Sequence, residues 1–226
     1  MKPRAVSLFF LDQVLSIAAV DVALFWSAGR LDWWPGWAAT GVWLAWFAAT
    51  DVILLRNPEL LAERLSPPQG AKAWDRSLLS VLRLLQLARY ILAGLDQRYG
   101  WTGGFPVAAQ TAGLTVCVLS YALLAWAMAS NAFFSQIVRI QSERSQAVVT
   151  NGPYRYVRHP AYVGMILFEP GMGLLLGSWW ALAAGAACAL LLILRTALED
   201  RTLQAELAGY GDYARQVRYR LIPGIW

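Results

Sequence analysis

Residues 161–197 read AYVGMILFEPGMGLLLGSWWALAAGAACALLLILRTA, and they carry the clearest indication of the fold class. The stretch contains two apolar runs, Ala161–Gly177 and Trp179–Ala197, with a Gly-Ser turn between them. A helix needs roughly 20 predominantly apolar residues to cross ~30 Å of hydrocarbon. The stretch therefore predicts two transmembrane helices that form a hairpin.

Four further apolar runs precede this hairpin. They are Val6–Ala28, Trp34–Leu55, Ser77–Leu95 and Phe105–Ala129. The whole chain is 58% hydrophobic and 15% charged, whereas a soluble domain carries about 25% charged residues. The sequence predicts an all-α, polytopic membrane helix bundle of about six transmembrane helices, forming a single membrane domain over residues 1–226.

The segments outside the spans have different expected structures. The connection Asn57–Asp75 contains several prolines and is expected to be irregular. After Ala197 we expect a cytoplasmic helical tail: a helical continuation over Glu199–Ala208, a break at Gly209–Gly211 and a short helix over Asp212–Tyr219.

The basic residues are distributed unequally between the two sides of this layout. The termini and the loops 56–76 and 130–160 together hold 15 of the 19 Lys and Arg residues, whereas the opposite side holds Arg30 and Arg98. Cytoplasmic segments of membrane proteins carry such an excess. Both termini are therefore expected in the cytoplasm, and the net charge of +5 needs no nucleic acid partner. The preference for Arg over Lys favours a bacterial inner membrane.

Cysteine and histidine usage limits which disulfides and metal sites the chain can form. Cys117 and Cys188 lie inside apolar runs, and His159 is the only histidine. These residues predict neither a disulfide framework nor a metal site.

Several polar residues lie inside the predicted spans. Intramembrane charges usually face the bundle interior and pair with one another. We expect Arg83 or Arg89 to be neutralised by Asp12, Asp21 or Asp51; a proton path and snorkelling near the span ends are the alternatives.

Glu169 lies in the fifth span, directly before Pro170. A helix break at this proline would be tolerated only against protein or a wet cavity. Two interpretations remain open: Glu169 lines the substrate cavity and accepts a proton in catalysis, or it pairs with Arg83 or Arg89.

Residues 151–164, NGPYRYVRHPAYVG, contain the densest polar pattern. Pro160 suits the first position of a helix, which puts His159 near the N-cap beside free backbone N–H groups. Such a helix start favours an anion, and Arg155 and Arg158 add positive charge.

The two arms of the hairpin are nearly equal in length, so Glu199 and Asp200 return to the depth of His159. A cationic helix start then faces two carboxylates, a charge pattern that fits S-adenosylmethionine. Its carboxylate would meet Arg158 and His159, and its amino group or ribose would meet the acidic pair. The candidates for packing on its adenine or sulfonium are Tyr154, Tyr156, Tyr162 and Tyr213. An interfacial arginine cluster that binds headgroups explains the same pattern.

The run GPYRYVRHPAYVG, the membrane hairpin and the downstream E-D-x-x-L and G-Y-x-x-Y elements resemble the isoprenylcysteine carboxyl methyltransferase and phospholipid methyltransferase superfamily. The resemblance covers roughly residues 131–226. It implies a cofactor-binding role for Tyr154, Arg158, His159, Pro160, Tyr162, Gly164, Glu199 and Asp200. The acidic pair is often Glu-Glu in that superfamily, so Glu199-Asp200 is a small departure.

The resemblance implies methyl transfer from S-adenosylmethionine to a lipid-like or prenylated carboxylate or amine at the cytoplasmic membrane boundary. The cofactor-binding loop, hairpin and tail would occupy residues 131–226, and the four N-terminal spans in residues 1–130 would face the substrate. Two rival interpretations are an NADPH-dependent reductase of the sterol-reductase type and a non-catalytic lipid-binding or transport protein.

Overall fold

The protein is an all-helical bundle, seen in a computed structural model that describes residues 3–65 and 70–226, with side chains from Val6 onward. Some residues used in the sequence analysis lie outside the described part of the chain. They are the side chains of Lys2 and Arg4, expected to be cytoplasmic charges, and the prolines at positions 67 and 68. The helices are α1 (Pro3–Ala28), α2 (Trp34–Arg56), α3 (Pro58–Leu65), α4 (Ala73–Tyr99), α5 (Val107–Ala129), α6 (Pro160–Leu176), α7 (Trp179–Glu206) and α8 (Tyr210–Gln216).

The described helices confirm a polytopic membrane bundle. Five of them, α1, α2, α4, α5 and α7, are long and apolar enough to cross a membrane. The remaining predicted span, the fifth, corresponds to α6, which is apolar but has 17 residues. It packs between α5 and α7, so its shorter length is accommodated inside the bundle.

The connection after α2 is partly regular, which corrects the prediction of an irregular loop. Pro58–Leu65 forms α3, with Glu59 in its first turn and Arg64 in its last, where both charges suit the helix dipole. Leu60 and Leu61 are buried beside Leu54 at the end of α2. The prolines in this segment predicted a loop, but a proline is well tolerated at the first position of a helix.

Glycines bring α5, α6 and α7 into close contact. A Cβ on Gly164 of α6 would lie 2.6 Å from the Ser120 carbonyl oxygen of α5. A Cβ on Gly173 would lie 2.5 Å from the Leu182 Cα of α7. Small residues at such points let helix backbones approach closely in membranes. This packing holds the α6–α7 hairpin rigidly against α5.

The intramembrane charges pair differently from the prediction. Arg89, which has no exposed surface, forms an ion pair with Glu169 of α6, and Gln86 Nε2 donates to the same carboxylate at 2.6 Å. The expectation that an aspartate would neutralise Arg89 is therefore wrong. Glu169 belongs to a helix far away in the sequence but adjacent to α4 in the bundle.

The three aspartates have other surroundings. Asp51 accepts a hydrogen bond from Gln13 at 2.8 Å, and Asp21 accepts one from Thr40 at 2.7 Å. Asp12 and Arg83 are both exposed, and neither pairs with another residue in the described part of the chain.

The helix α6 continues through Pro170, so the break expected there does not occur. The C-terminal tail agrees in outline with the prediction. α7 extends to Glu206, Gly209 adopts a φ of 80°, and α8 follows over Tyr210–Gln216. The predicted short helix at Asp212–Tyr219 thus begins and ends earlier than expected.

Candidate functional site

The α6–α7 hairpin brings the predicted site residues together at one end of the bundle. Ser178 caps α7 by accepting a hydrogen bond from the Ala181 N–H, and Gly177 takes the left-handed conformation that ends α6. At the far ends of the two arms, Tyr162 reaches Glu199 and His159 reaches Asp200. The depth predicted from equal arm lengths is confirmed.

Asp200 is the centre of a buried hydrogen-bond network. It has no exposed surface. Its carboxylate contacts Arg158 Nε (2.8 Å) and Nη2 (3.0 Å), His159 Nε2 (3.1 Å), Tyr210 Oη (2.9 Å), Gln204 Nε2 (2.7 Å) and Arg220 Nε (2.8 Å). A carboxylate offers about four lone-pair sites, so these partners leave no capacity for a ligand.

Arg158 is committed to the protein as well. Its Nη1 donates to the carbonyl oxygens of Val217 (2.9 Å) and Arg218 (2.6 Å), in addition to its two bonds with Asp200. The guanidinium thereby holds the C-terminal segment against the start of α6.

Two backbone N–H groups directly before α6 are already bonded, so neither is available to the anion that the sequence analysis placed at this helix start. The Arg158 N–H donates to the Tyr219 carbonyl at 2.9 Å, and the His159 N–H donates to the Arg220 carbonyl at 3.0 Å. The sequence could not show that residues 219 and 220 would return to cover this helix start.

Glu199 has a different environment from its neighbour. Its Oε2 accepts a hydrogen bond from the Tyr162 hydroxyl at 2.5 Å. Across the described residues it forms no ion pair with any cation. Arg195, one helical turn earlier, is already paired with Asp75, with Nε 2.7 Å from Oδ1. Glu199 therefore has no ion-pair partner in the described part of the chain, and Arg195 acts on it only at longer range.

A cavity of about 110 Å³ opens beside Glu199, between the helix ends and the segment that joins α5 to α6. Its lining includes Tyr154, Arg158, His159, Tyr162, Arg195, Glu199, Leu203, Leu207, Tyr210, Tyr213 and a run of side chains from Asn131 to Val149. One wall is therefore polar and contains the Glu199 carboxylate, while the other is aromatic and aliphatic.

The aromatic wall is held in place by hydrogen bonds. Tyr213 Oη donates to the Tyr154 carbonyl at 2.6 Å, and Asn131 Nδ2 donates to the Tyr154 hydroxyl at 3.2 Å. Burial raises the pKa of both the Tyr154 and Tyr213 phenols. Both therefore stay neutral at physiological pH and present uncharged rings to the cavity.

Five of the eight predicted cofactor-binding residues line this cavity: Tyr154, Arg158, His159, Tyr162 and Glu199. The other three have structural positions. Pro160 begins α6, Gly164 packs against α5, and Asp200 lies beneath the cavity floor.

Two further candidates lie away from the cavity. The Tyr156 ring is exposed, with the Arg155 guanidinium over it, and it does not line the cavity. Tyr213 does line the cavity. Glu169 is 2% exposed and paired with Arg89, and it does not line the cavity. Of its two interpretations, the pairing with Arg89 is confirmed.

Sequence reasoning missed several lining residues. Arg195 was counted only as a basic residue, because its partner Asp75 lies on a distant helix. The segment from Asn131 to Val149 has no periodic pattern that predicts which side chains face inward. The Tyr210 hydroxyl lies 3.2 Å from His159 Nε2. Tyr210 belongs to the G-Y-x-x-Y element, but the sequence did not predict which residue it would contact.

Known proteins match the part of the chain that contains the α6–α7 hairpin. The model of the isoprenylcysteine carboxyl methyltransferase (ICMT) family matches residues 113–205, which run from α5 almost to the end of α7. Over these residues the chain is similar to the isoprenylcysteine carboxyl methyltransferase family. The matched region contains every predicted cofactor-binding residue.

Two relatives illustrate the extent of the likeness. A protein-S-isoprenylcysteine O-methyltransferase of Schizosaccharomyces pombe is 38% identical over 71 residues. That alignment covers 31% of this chain and 30% of the yeast protein's length. A solved structure of a eukaryotic intramembrane Ras methyltransferase ICMT aligns with a TM-score of 0.58 at 18% identity, covering 98% of this chain and 83% of the other. At that identity the structural match shows a similar fold across nearly the whole chain.

Proposed function

We propose that this protein transfers a methyl group from S-adenosylmethionine to a lipid-like acceptor at the boundary of the membrane. The carboxylate of Glu199 carries the proposal, because it lines the cavity and has no ion-pair partner among the described residues. Buried or half-buried charges are normally paired, so an unpaired one favours a ligand of opposite charge. The sulfonium and amino groups of S-adenosylmethionine are such cations.

The cavity chemistry fits the rest of this ligand. Tyr154, Tyr210 and Tyr213 provide rings beside the aliphatic side chains of Leu203 and Leu207. Such a wall suits a purine and offers cation–π attraction of about 0.5–2 kcal/mol to a positive group. When bound, the cofactor supplies an electrophilic methyl group.

The roles proposed for the chain's own residues follow from their contacts. Glu199 stabilises the positive charge of the ligand, and the Tyr162 hydroxyl holds this carboxylate in place. Asp200 and Arg158 orient His159 and fix the C-terminal segment, so we assign them positioning roles. The segment from Asn131 to Val149 covers the cavity and keeps water away from the displacement.

The acceptor is proposed as a prenylated or similarly lipid-linked carboxylate or amine, entering from the bilayer. The name of the yeast relative describes an O-methyltransferase of isoprenylcysteine, which makes a lipid-linked carboxylate our first candidate. A carboxylate acceptor is already ionised at neutral pH and needs no base. Because no base is needed, catalysis does not require Glu169, which lies outside the cavity. We propose a structural role for Glu169 through its pairing with Arg89.

A comparison of lipid extracts tests the proposal. Cells with the wild-type protein should contain a lipid species heavier by one CH₂ unit that is missing from cells without it and from cells with Glu199→Gln. Glu206→Gln is the matched control, because Glu206 lies on the same helix, pairs with Lys72 and does not line the cavity.

Binding assays with purified protein distinguish a methyltransferase from a reductase. S-adenosylmethionine should stabilise the protein against heat, and NADPH should not. Stabilisation by NADPH alone, or methylated lipid produced equally well by Glu199→Gln, would refute the proposal.

A further inference from the structure

Arg64, in the last turn of α3, carries a buried nitrogen atom that has no acceptor. Its Nη1 atom is shielded from solvent and has no hydrogen-bond partner among residues 3–65 and 70–226. Burial lowers the pKa of Arg64 to about 10, and the neighbouring Glu63 carboxylate offsets part of this effect. A buried donor without an acceptor destabilises the folded state, so a group from outside the chain would find a ready partner here.

The other two charged side chains of α3 already have partners in the segment between α5 and α6. Glu63 Oε2 lies 2.7 Å from Arg139 Nη2, and Glu59 Oε2 lies 2.8 Å from Arg144 Nη2. Because both carboxylates are bonded to other arginines, Arg64 is the one charged side chain of α3 that has no ion pair in the described part of the chain.

The surroundings of Arg64 are apolar. The Phe134 ring centroid is 5.8 Å from its Cζ, close to the ~6 Å limit of cation–π attraction, so the ring is a weak substitute for an oxygen acceptor. Phe134 packs in one cluster with α3 and with the last turns of α2 and α5. The last two turns of α2 also expose Val52 and Leu55. Apolar surface for an acyl chain therefore lies within a few residues of α3.

We infer that Arg64 binds the phosphate of an anionic phospholipid at the surface of the membrane. A guanidinium matches a phosphate through two parallel N–H···O bonds, which would satisfy Nη1. The charge distribution assigns this end of the bundle to the cytoplasm, where the leaflet contains anionic lipids. Arg64 does not line the cavity beside Glu199, so the inference is independent of the proposed methyl transfer.

Thermal unfolding of the purified protein in a neutral detergent measures this binding. Phosphatidylglycerol should raise the Tm of the wild-type protein. Phosphatidylcholine should raise it less, because its headgroup has no net charge. Inorganic phosphate at the same concentration should have no effect, because it has no acyl chain to pack beside α2. An equal rise with inorganic phosphate would overturn the assignment to a lipid.

Arg64→Met tests the guanidinium itself. The midpoint of the phosphatidylglycerol titration should rise at least about tenfold, because a charge-assisted hydrogen bond is lost. Without lipid, Arg64→Met should be at least as stable as wild type, because an apolar side chain replaces a buried donor that has no acceptor. Arg56→Met is the matched control, because Arg56 at the end of α2 is exposed. It should respond to phosphatidylglycerol as wild type does.

Three results would overturn the inference: no response of wild type to phosphatidylglycerol, an equal response of Arg64→Met, or a lower Tm of folded Arg64→Met without lipid. The last result would show that Arg64 has a partner within the chain. If Arg64→Met does not fold, Arg64→Gln replaces it, and native mass spectrometry counts the phosphatidylglycerol molecules that stay bound. Wild type should retain one more lipid than Arg64→Gln, and equal numbers would overturn the inference.

Discussion

Two adjacent carboxylates at the end of α7 have opposite surroundings. Asp200 is buried and bonded to two guanidiniums, a histidine, a tyrosine and a glutamine. Glu199 is partly exposed in the cavity, and one neutral hydroxyl is its only hydrogen-bond partner in the described structure. The first carboxylate stabilises the fold, and the second is available to a ligand.

This difference predicts contrasting effects of two isosteric substitutions. Asp200→Asn leaves Arg158 without its buried counter-charge, and removing one partner of such a pair costs around 3–5 kcal/mol. Thermal unfolding in detergent should show a clear drop in Tm for Asp200→Asn and none for Glu199→Gln. Equal Tm values for the two variants would show that the Asp200 network does not hold the fold.

Gly164 of α6 lies so close to α5 that a side chain at this position should disturb the packing. Gly164→Ala would place a Cβ 2.6 Å from the Ser120 carbonyl oxygen, which forces α5 and α6 apart. We expect a lower folded yield by size-exclusion chromatography. Gly41→Ala is the matched control, because its Cβ meets no atom within 4 Å. A Gly164→Ala protein as stable as Gly41→Ala would contradict the close packing.

At the scale of the helices, α4 and α6 are joined by the Arg89–Glu169 ion pair deep in the bundle. Glu169→Gln leaves a buried cation without its counter-charge and should lower the folded yield. The double variant Arg89→Met with Glu169→Gln should recover part of that yield, since no unpaired charge remains. Recovered protein should keep the proposed methyltransferase activity. Loss of activity in well-folded double mutant would instead support a catalytic role for Glu169.

The helices themselves were predictable because apolar runs and turn residues are local features. The hairpin of α6 and α7 and its Gly177–Ser178 turn follow from the sequence alone, and so does the meeting of His159 with the acidic pair. α3 was missed because its short apolar face, Leu60 and Leu61, is surrounded by proline-rich sequence.

Pairings between distant helices were only partly predictable from a single sequence, which left Glu169 and three aspartates as possible partners of Arg89. Any of several acidic residues could have neutralised Arg89, and the choice of Glu169 depends on how α4 and α6 pack. The same reason explains why the Arg195–Asp75 pair and the return of Tyr219 and Arg220 to the start of α6 were missed. In the candidate site, the motif residues were identified but the role of Asp200 was not.

At the scale of the whole molecule, the charge asymmetry predicts its orientation in the membrane. Both termini, the cavity and the segment from Asn131 to Val149 should face the cytoplasm, and the α4–α5 connection near Gly103 should face the opposite side. A membrane-impermeant thiol reagent applied from outside should label a cysteine introduced at Gly103 and not one at Gln146. Permeabilised cells should label both. Labelling of both positions in intact cells would refute this topology.

Glu199 is proposed as the carboxylate that balances a cationic ligand, and calorimetric titration with S-adenosylmethionine tests this role most directly. Glu199→Gln preserves the shape but removes the charge. Since a hydrogen bond to a charged group contributes roughly 1.5–3 kcal/mol, affinity should fall about 10- to 150-fold. Glu206→Gln should bind as wild type does. A folded Glu199→Gln protein that binds S-adenosylmethionine as tightly as wild type would contradict the central claim.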